Sequence, residues 1–86
     1  MTPDQLKSRI EQLSPGTQAQ VTDLTGTMDH YQALIVSPAF EGKGMMEQHR
    51  MVYGLFSSEI QSNEVHALTL KTFTPGQYAK FQQTRA

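Results

Sequence analysis

Apolar residues along this chain recur with two different periods, and the changes of period mark out its elements. Leu6, Ile10 and Leu13 are spaced by four and three, which places them on one face of a short helix. Thr2-Pro3-Asp4 suits its start: threonine caps, proline occupies a position whose N–H would be unpaired anyway, and aspartate faces the positive end of the dipole. Ser14-Pro15-Gly16 ends it. From Gln18 to Leu24 the pattern shifts to a weak alternation that predicts a strand. Thr25-Gly26-Thr27-Met28-Asp29 reads as a turn, and Tyr31 to Val36 as the strongest strand signal in the chain. The short loop between the two strands predicts an antiparallel hairpin. Ser37-Pro38 closes the second strand, because proline cannot donate to a ladder.

Phe40-Glu41-Gly42-Lys43-Gly44 is a glycine-bearing connection. Beyond it, Met45, His49, Val52, Tyr53, Phe56 and Ile60 share one helical stripe, predicting a single helix of about four turns. Glu47, Gln48, Glu59 and Gln61 fall mostly off that stripe, and Ser62-Asn63 ends the helix. Val65 to Phe73 reads as a third strand, with Val65, Ala67 and Thr69 alternating against His66, Leu68 and Leu70. Thr74-Pro75 repeats the cap-plus-proline start, and a short helix carrying Tyr78 and Phe81 runs through about Gln83. The order is α-β-β-α-β-α, an α+β two-layer domain with helices on one face of a three-stranded sheet. Residues 1–86 are read as one domain.

Composition narrows the classes without choosing among them. The chain has 86 residues, 37% of them hydrophobic and 17% charged, with a formal net charge of −1. That is too apolar for a disordered chain and too balanced for strong nonspecific affinity to nucleic acid, which needs an excess of lysine and arginine. There is no cysteine, so the chain offers no disulfide, thiolate nucleophile or all-cysteine metal site. The longest apolar run, Ala33 to Val36, is too short for a membrane span, and a cytoplasmic protein is the expectation.

Few residues carry candidate chemistry. His30 lies at the exit of the hairpin loop, His49 on the long helix and His66 at the start of the third strand. No two have the short spacing of a helical metal site. On the residues alone, His49 reads as a partly buried structural side chain, His30 as a loop side chain, and His66 has no assigned role. Gly42-Lys43-Gly44 lacks the rest of a phosphate-binding loop, and Met45, Met46 and Met51 fit adaptable packing better than a copper site. No nucleophile–base constellation appears, so the chain is not read as an enzyme.

Several blocks of residues together resemble the BolA family. They are Asp29-His30-Tyr31, Val36-Ser37, Phe40-Glu41-Gly42-Lys43, His49-Arg50-Met51-Val52-Tyr53, Val65-His66-Ala67-Leu68 and Lys71-Thr72-Phe73-Thr74-Pro75. The resemblance runs from about Leu6 to Tyr78 and implies a class II KH-like fold, in agreement with the element order above. It also implies an adaptor that pairs with a monothiol glutaredoxin of the CGFS type and shares a bridging 2Fe–2S cluster in iron–sulfur trafficking or iron regulation. The family's histidine in the His-Ala-Leu block is a cluster ligand, which here is His66. A second ligand comes from the loop between the first two strands, as histidine or cysteine in different subgroups; this chain offers His30 there. The remaining ligands would be the partner's cysteine and glutathione, and no cluster is expected in the isolated chain.

Some members of the family are described as DNA-binding transcriptional regulators, which makes DNA the alternative partner. Lys43, Arg50, Lys71 and Lys80 are the basic residues that would serve it, although Gly42-Lys43-Gly44 lacks the GXXG spacing of RNA-binding KH loops. A thiol-based reductase is disfavoured by the absence of cysteine. Alone, the chain is expected to be a monomer or a weak homodimer, with no membrane partner.

Overall fold

A computed structural model describes residues 1–84. The chain forms helix α1 (Pro3–Glu11), strands β1 (Gln18–Asp23) and β2 (His30–Val36), and a 3-10 turn (Pro38–Phe40). Helices α2 (Met45–Leu55) and α3 (Ser57–Gln61), strand β3 (Ala67–Phe73) and helix α4 (Pro75–Thr84) follow. The sheet order is β1-β2-β3, with β1 and β2 antiparallel and β2 and β3 parallel. A parallel pair needs a long crossover, which α2 and α3 supply.

The helix starts follow from local chemistry. At α1 the Thr2 hydroxyl accepts from the Gln5 N–H at 3.1 Å while the Gln5 side chain accepts from the Thr2 N–H at 2.8 Å. Thr74 and Gln77 repeat this reciprocal arrangement at α4, at 3.1 and 3.0 Å. Each box satisfies two N–H groups that a bare helix end leaves unpaired. The core is built from Leu6 and Ile10 of α1, Tyr31, Ala33 and Ile35 of β2, Val52 of α2, Leu68 and Leu70 of β3, with Ala19, Phe40, Phe56 and Val65. Burial alternates strictly along β2 and β3, so one face meets the core. The helices are not all on that face as expected: Phe73 points to the other side, where Tyr78 and Phe81 of α4 pack on its ring at 5.6 and 5.1 Å between centroids.

Two expectations about the long helix are corrected. The helix expected from Met45 to Ile60 is broken at Phe56, whose backbone (φ −121°, ψ 19°) leaves the helical region. Phe56 N–H bonds back to Tyr53 at 3.0 Å, tightening the last turn of α2, and its ring is fully buried. The break is accommodated because Arg9 of α1 donates through Nη1 to the Leu55 carbonyl at 3.2 Å. The buried face is also rotated from the expected stripe. Met45 is 69% exposed and Tyr53 38%, whereas Gln48 is only 3% exposed. Gln48 tolerates burial because its Nε2 donates to the Lys43 carbonyl at 2.9 Å, closing the turn that leads into α2. An apolar-periodicity argument does not see a satisfied amide of this kind.

Smaller differences sit at element ends. The first strand stops at Asp23, one residue early; the second begins at His30, which is therefore in the sheet rather than at a loop exit. The third begins at Ala67, so Val65 and His66 precede it. Val65 is buried while His66 is exposed, and in β3 it is Leu68, Leu70 and Thr72 that face the core. Among the described residues no helix is long and apolar enough to cross a membrane.

Candidate functional site

The site expected to hold chemistry lies where β2 and β3 begin. Their parallel register pairs His30 with Ala67. At the start of this ladder the Asp29 carbonyl accepts from the His66 N–H at 2.8 Å and the Ala67 N–H at 3.1 Å. With the strand starts held flush, the imidazoles of His30 and His66 come together, ring centroids 5.0 Å apart and planes tilted by 48°. Neither sequence spacing nor periodicity points to this pairing; a parallel register between strands separated by two helices creates it.

The loop before His30 is itself ordered by carboxylates. Asp23 accepts from the N–H groups of Thr25 (3.3 Å), Gly26 (2.9 Å) and Met28 (3.0 Å). This network holds the left-handed turn residues Gly26 (φ 75°) and Met28 (φ 59°) in place. Asp29 Oδ1 accepts from the hydroxyls of Thr27 and Thr25, and His30 Nδ1 lies 2.9 Å from the same oxygen. The Thr27 hydroxyl first, then His30, pull the Asp29 carboxyl down to about 2. Beneath the site the fully buried Tyr31 places its hydroxyl against the carbonyls of Met28 and Met1. Burial, together with the carboxylates of Asp23, Asp29 and Glu64, pushes that phenol up.

Chemically, this arrangement presents two imidazoles and one ordered carboxylate. A neutral imidazole nitrogen is a good ligand for iron, zinc and related metals. Among the described residues no group of three or more histidine, aspartate or glutamate side chains converges on a metal position.

The other sequence-selected residues lie apart. His49, half-buried on α2, makes an edge contact with Tyr53 at 6.5 Å between centroids. Lys43 precedes α2 and Arg50 projects from it, both exposed. Lys71, exposed on β3, belongs to the outward parity, opposite the face on which Leu68, Leu70 and Thr72 meet the core. The sheet thus separates Lys71 from the side on which α2 packs, which carries Lys43 and Arg50. The sequence placed Asp29 in the turn and in one of the blocks of the family resemblance, without a role at the site; its carbonyl and carboxylate contacts to the two histidines are seen in the structure.

Comparison with known proteins gives consistent matches. The family model described as BolA-like protein matches residues 4–77. The chain is 38% identical over 60 residues to a BolA-like protein of Dictyostelium discoideum, covering 70% of this chain and 53% of that protein. It is 36% identical over 59 residues to the DNA-binding transcriptional regulator BolA of Escherichia coli, covering 69% of this chain and 55% of that one. The matched segments thus span about half the length of these two relatives. Among solved structures, a bolA protein homologue from Coxiella burnetii superimposes with a TM-score of 0.75 at 32% identity, covering 92% of this chain and 97% of that one.

Proposed function

Since this chain belongs to the BolA-like family, we propose that it acts as an adaptor that binds a monothiol CGFS glutaredoxin and shares a 2Fe–2S cluster with it. The pathway would be iron–sulfur trafficking or iron-linked redox regulation. The observation that supports this reading is the pairing of His66, exposed, with His30, half-buried, at the common start of β2 and β3. The donor set suits such a cluster. Two imidazoles in place of two thiolates lower the cluster's negative charge and raise its potential. With no cysteine in the chain, the partner's cysteine and glutathione complete the set.

What this chain contributes is placement. The His66 backbone is held by Asp29 while its ring stays open to an approaching protein, and the strand start gives it a rigid base. Anaerobic reconstitution with a CGFS glutaredoxin and glutathione, followed by visible absorption and circular dichroism, tests the reading. A mixed complex with its own spectrum is expected, lost or strongly altered in a folded His66→Ala variant. A glutaredoxin that does not bind, or a cluster in His66→Ala indistinguishable from the parent's, overturns it.

A second reading, a DNA-binding transcriptional regulator, draws on the name of the Escherichia coli relative. In this chain it ranks second, because Lys43 and Arg50 lie on one side of the sheet and Lys71 on the other.

A further inference from the structure

One residue touches both histidines, and it does so through two different groups. The Asp29 carbonyl holds the His66 backbone at 2.8 Å. Its carboxylate meets the His30 ring at Nδ1, 2.9 Å away, and is itself aimed by the hydroxyls of Thr27 and Thr25. An ionised carboxylate only accepts hydrogen bonds, so the proton in this contact sits on His30 Nδ1. In a neutral imidazole that leaves Nε2 with the free lone pair. Carboxylates that hold the far nitrogen of a metal-bound histidine in this way set its tautomer, orient the ring and raise its basicity.

We infer that Asp29 is the positioning residue of this site, holding His30 in the Nδ1–H tautomer so that Nε2 is presented as a metal donor beside His66. The inference rests on the shared-cluster reading for its purpose, but the tautomer itself is a property of the free chain. Thr27 serves as the outer brace: its hydroxyl ties the carboxylate to the hairpin turn. The His66 side of the arrangement uses only the Asp29 main chain, so side-chain substitutions at Asp29 act on one histidine and spare the backbone contact of the other.

The test compares the parent with Asp29→Ala and Asp29→Asn, each first shown folded. Nitrogen-15 spectra of the imidazoles are recorded at mildly alkaline pH, where a free imidazole is neutral. The parent and Asp29→Asn, which keeps an accepting oxygen, are expected to carry the His30 proton on Nδ1; Asp29→Ala is expected to lose that preference. With a CGFS glutaredoxin and glutathione, Asp29→Ala should hold the cluster about 10–100-fold more weakly, with Asp29→Asn recovering much of the loss. A parent His30 protonated on Nε2, or a tautomer unchanged in Asp29→Ala, overturns the inference. So does a parent cluster that Asp29→Ala binds equally well. A parent that takes up no cluster at all overturns the adaptor reading instead, while the nitrogen spectra still decide the role of Asp29.

Discussion

Arg9 and Glu59 join the first helix to the break in the second: Arg9 Nη1 lies 2.7 Å from Glu59 Oε1. The same nitrogen donates to the Leu55 carbonyl, and the guanidinium carbon sits 5.2 Å from the centroid of the Phe56 ring. One side chain therefore meets the carbonyl at the end of α2, the carboxylate on α3 and the aromatic residue between them. The guanidinium suits this role because it offers several donors in a plane and can also lie over a ring.

The ion pair makes acid stability testable. The Arg9 hydrogen bond holds the Glu59 carboxyl below its ordinary value. A carboxyl with a lowered folded pKa stabilises the fold above its unfolded pKa, and that contribution is lost as the pH falls through the folded value. Denaturant melts at decreasing pH should therefore show a fall in stability below the ordinary carboxylate range that is shallower in Glu59→Gln. An identical pH profile for the two proteins would mean that the pair contributes nothing to the fold.

Phe56 tests the packing at the break. It is fully buried, and Phe56→Ala should cost about 3–5 kcal/mol in chemical denaturation, from the lost burial of the ring together with the cavity left behind. In a domain of this size that is a large share of the total stability. A loss below about 1 kcal/mol would place the ring outside the core.

Ser37 tests a buried polar cluster. Its hydroxyl lies 2.8 Å from that of Thr17 and 3.3 Å from that of Ser14, and it also accepts from the Ala39 N–H at 3.1 Å. Ser37→Ala leaves these groups short of a partner in a buried place and should cost about 1–3 kcal/mol. Thermal unfolding indistinguishable from the parent's would show that the neighbours find other partners.

His49 provides the contrast to His66. Half-buried against Tyr53 and away from the strand starts, it should act on the fold and not on the cluster. His49→Ala is expected to lower the midpoint of unfolding while the complex with a glutaredoxin keeps its visible circular dichroism. A lost spectrum in a stable His49→Ala protein would move the ligand set onto α2.

DNA binding should be weak and one-sided. Near physiological salt a Kd of about 10⁻⁵ M or poorer is expected, rising further with added salt because phosphate contacts release counterions. Because the sheet separates them, reversing the charges of Lys43 and Arg50 together should affect any such binding differently from reversing Lys71 alone. A sequence-specific complex at nanomolar affinity in a gel shift would put the regulator reading first.

By itself the sequence determined the strand order along the chain, the hairpin and both threonine-proline helix starts, because these rest on contacts between near neighbours in the chain. Alternation in Tyr31–Val36, a turn rich in glycine and threonine, and a cap followed by proline all act within a few residues, so local pattern is sufficient. The family resemblance singled out His66 and offered His30, but nothing in the spacing of these two put one ring beside the other. That was decided by the parallel register of β2 on β3, which the Asp29 carbonyl extends to His66 after the crossover returns the chain. The break at Phe56 and the burial of Gln48 were likewise tertiary outcomes. Each depends on a partner that periodicity does not weigh: Arg9 from another helix for the Leu55 carbonyl, and the Lys43 carbonyl for an amide on a face expected to meet solvent. Local pattern says which residues prefer to be buried, whereas a hydrogen bond across the fold decides which polar groups can be buried with them.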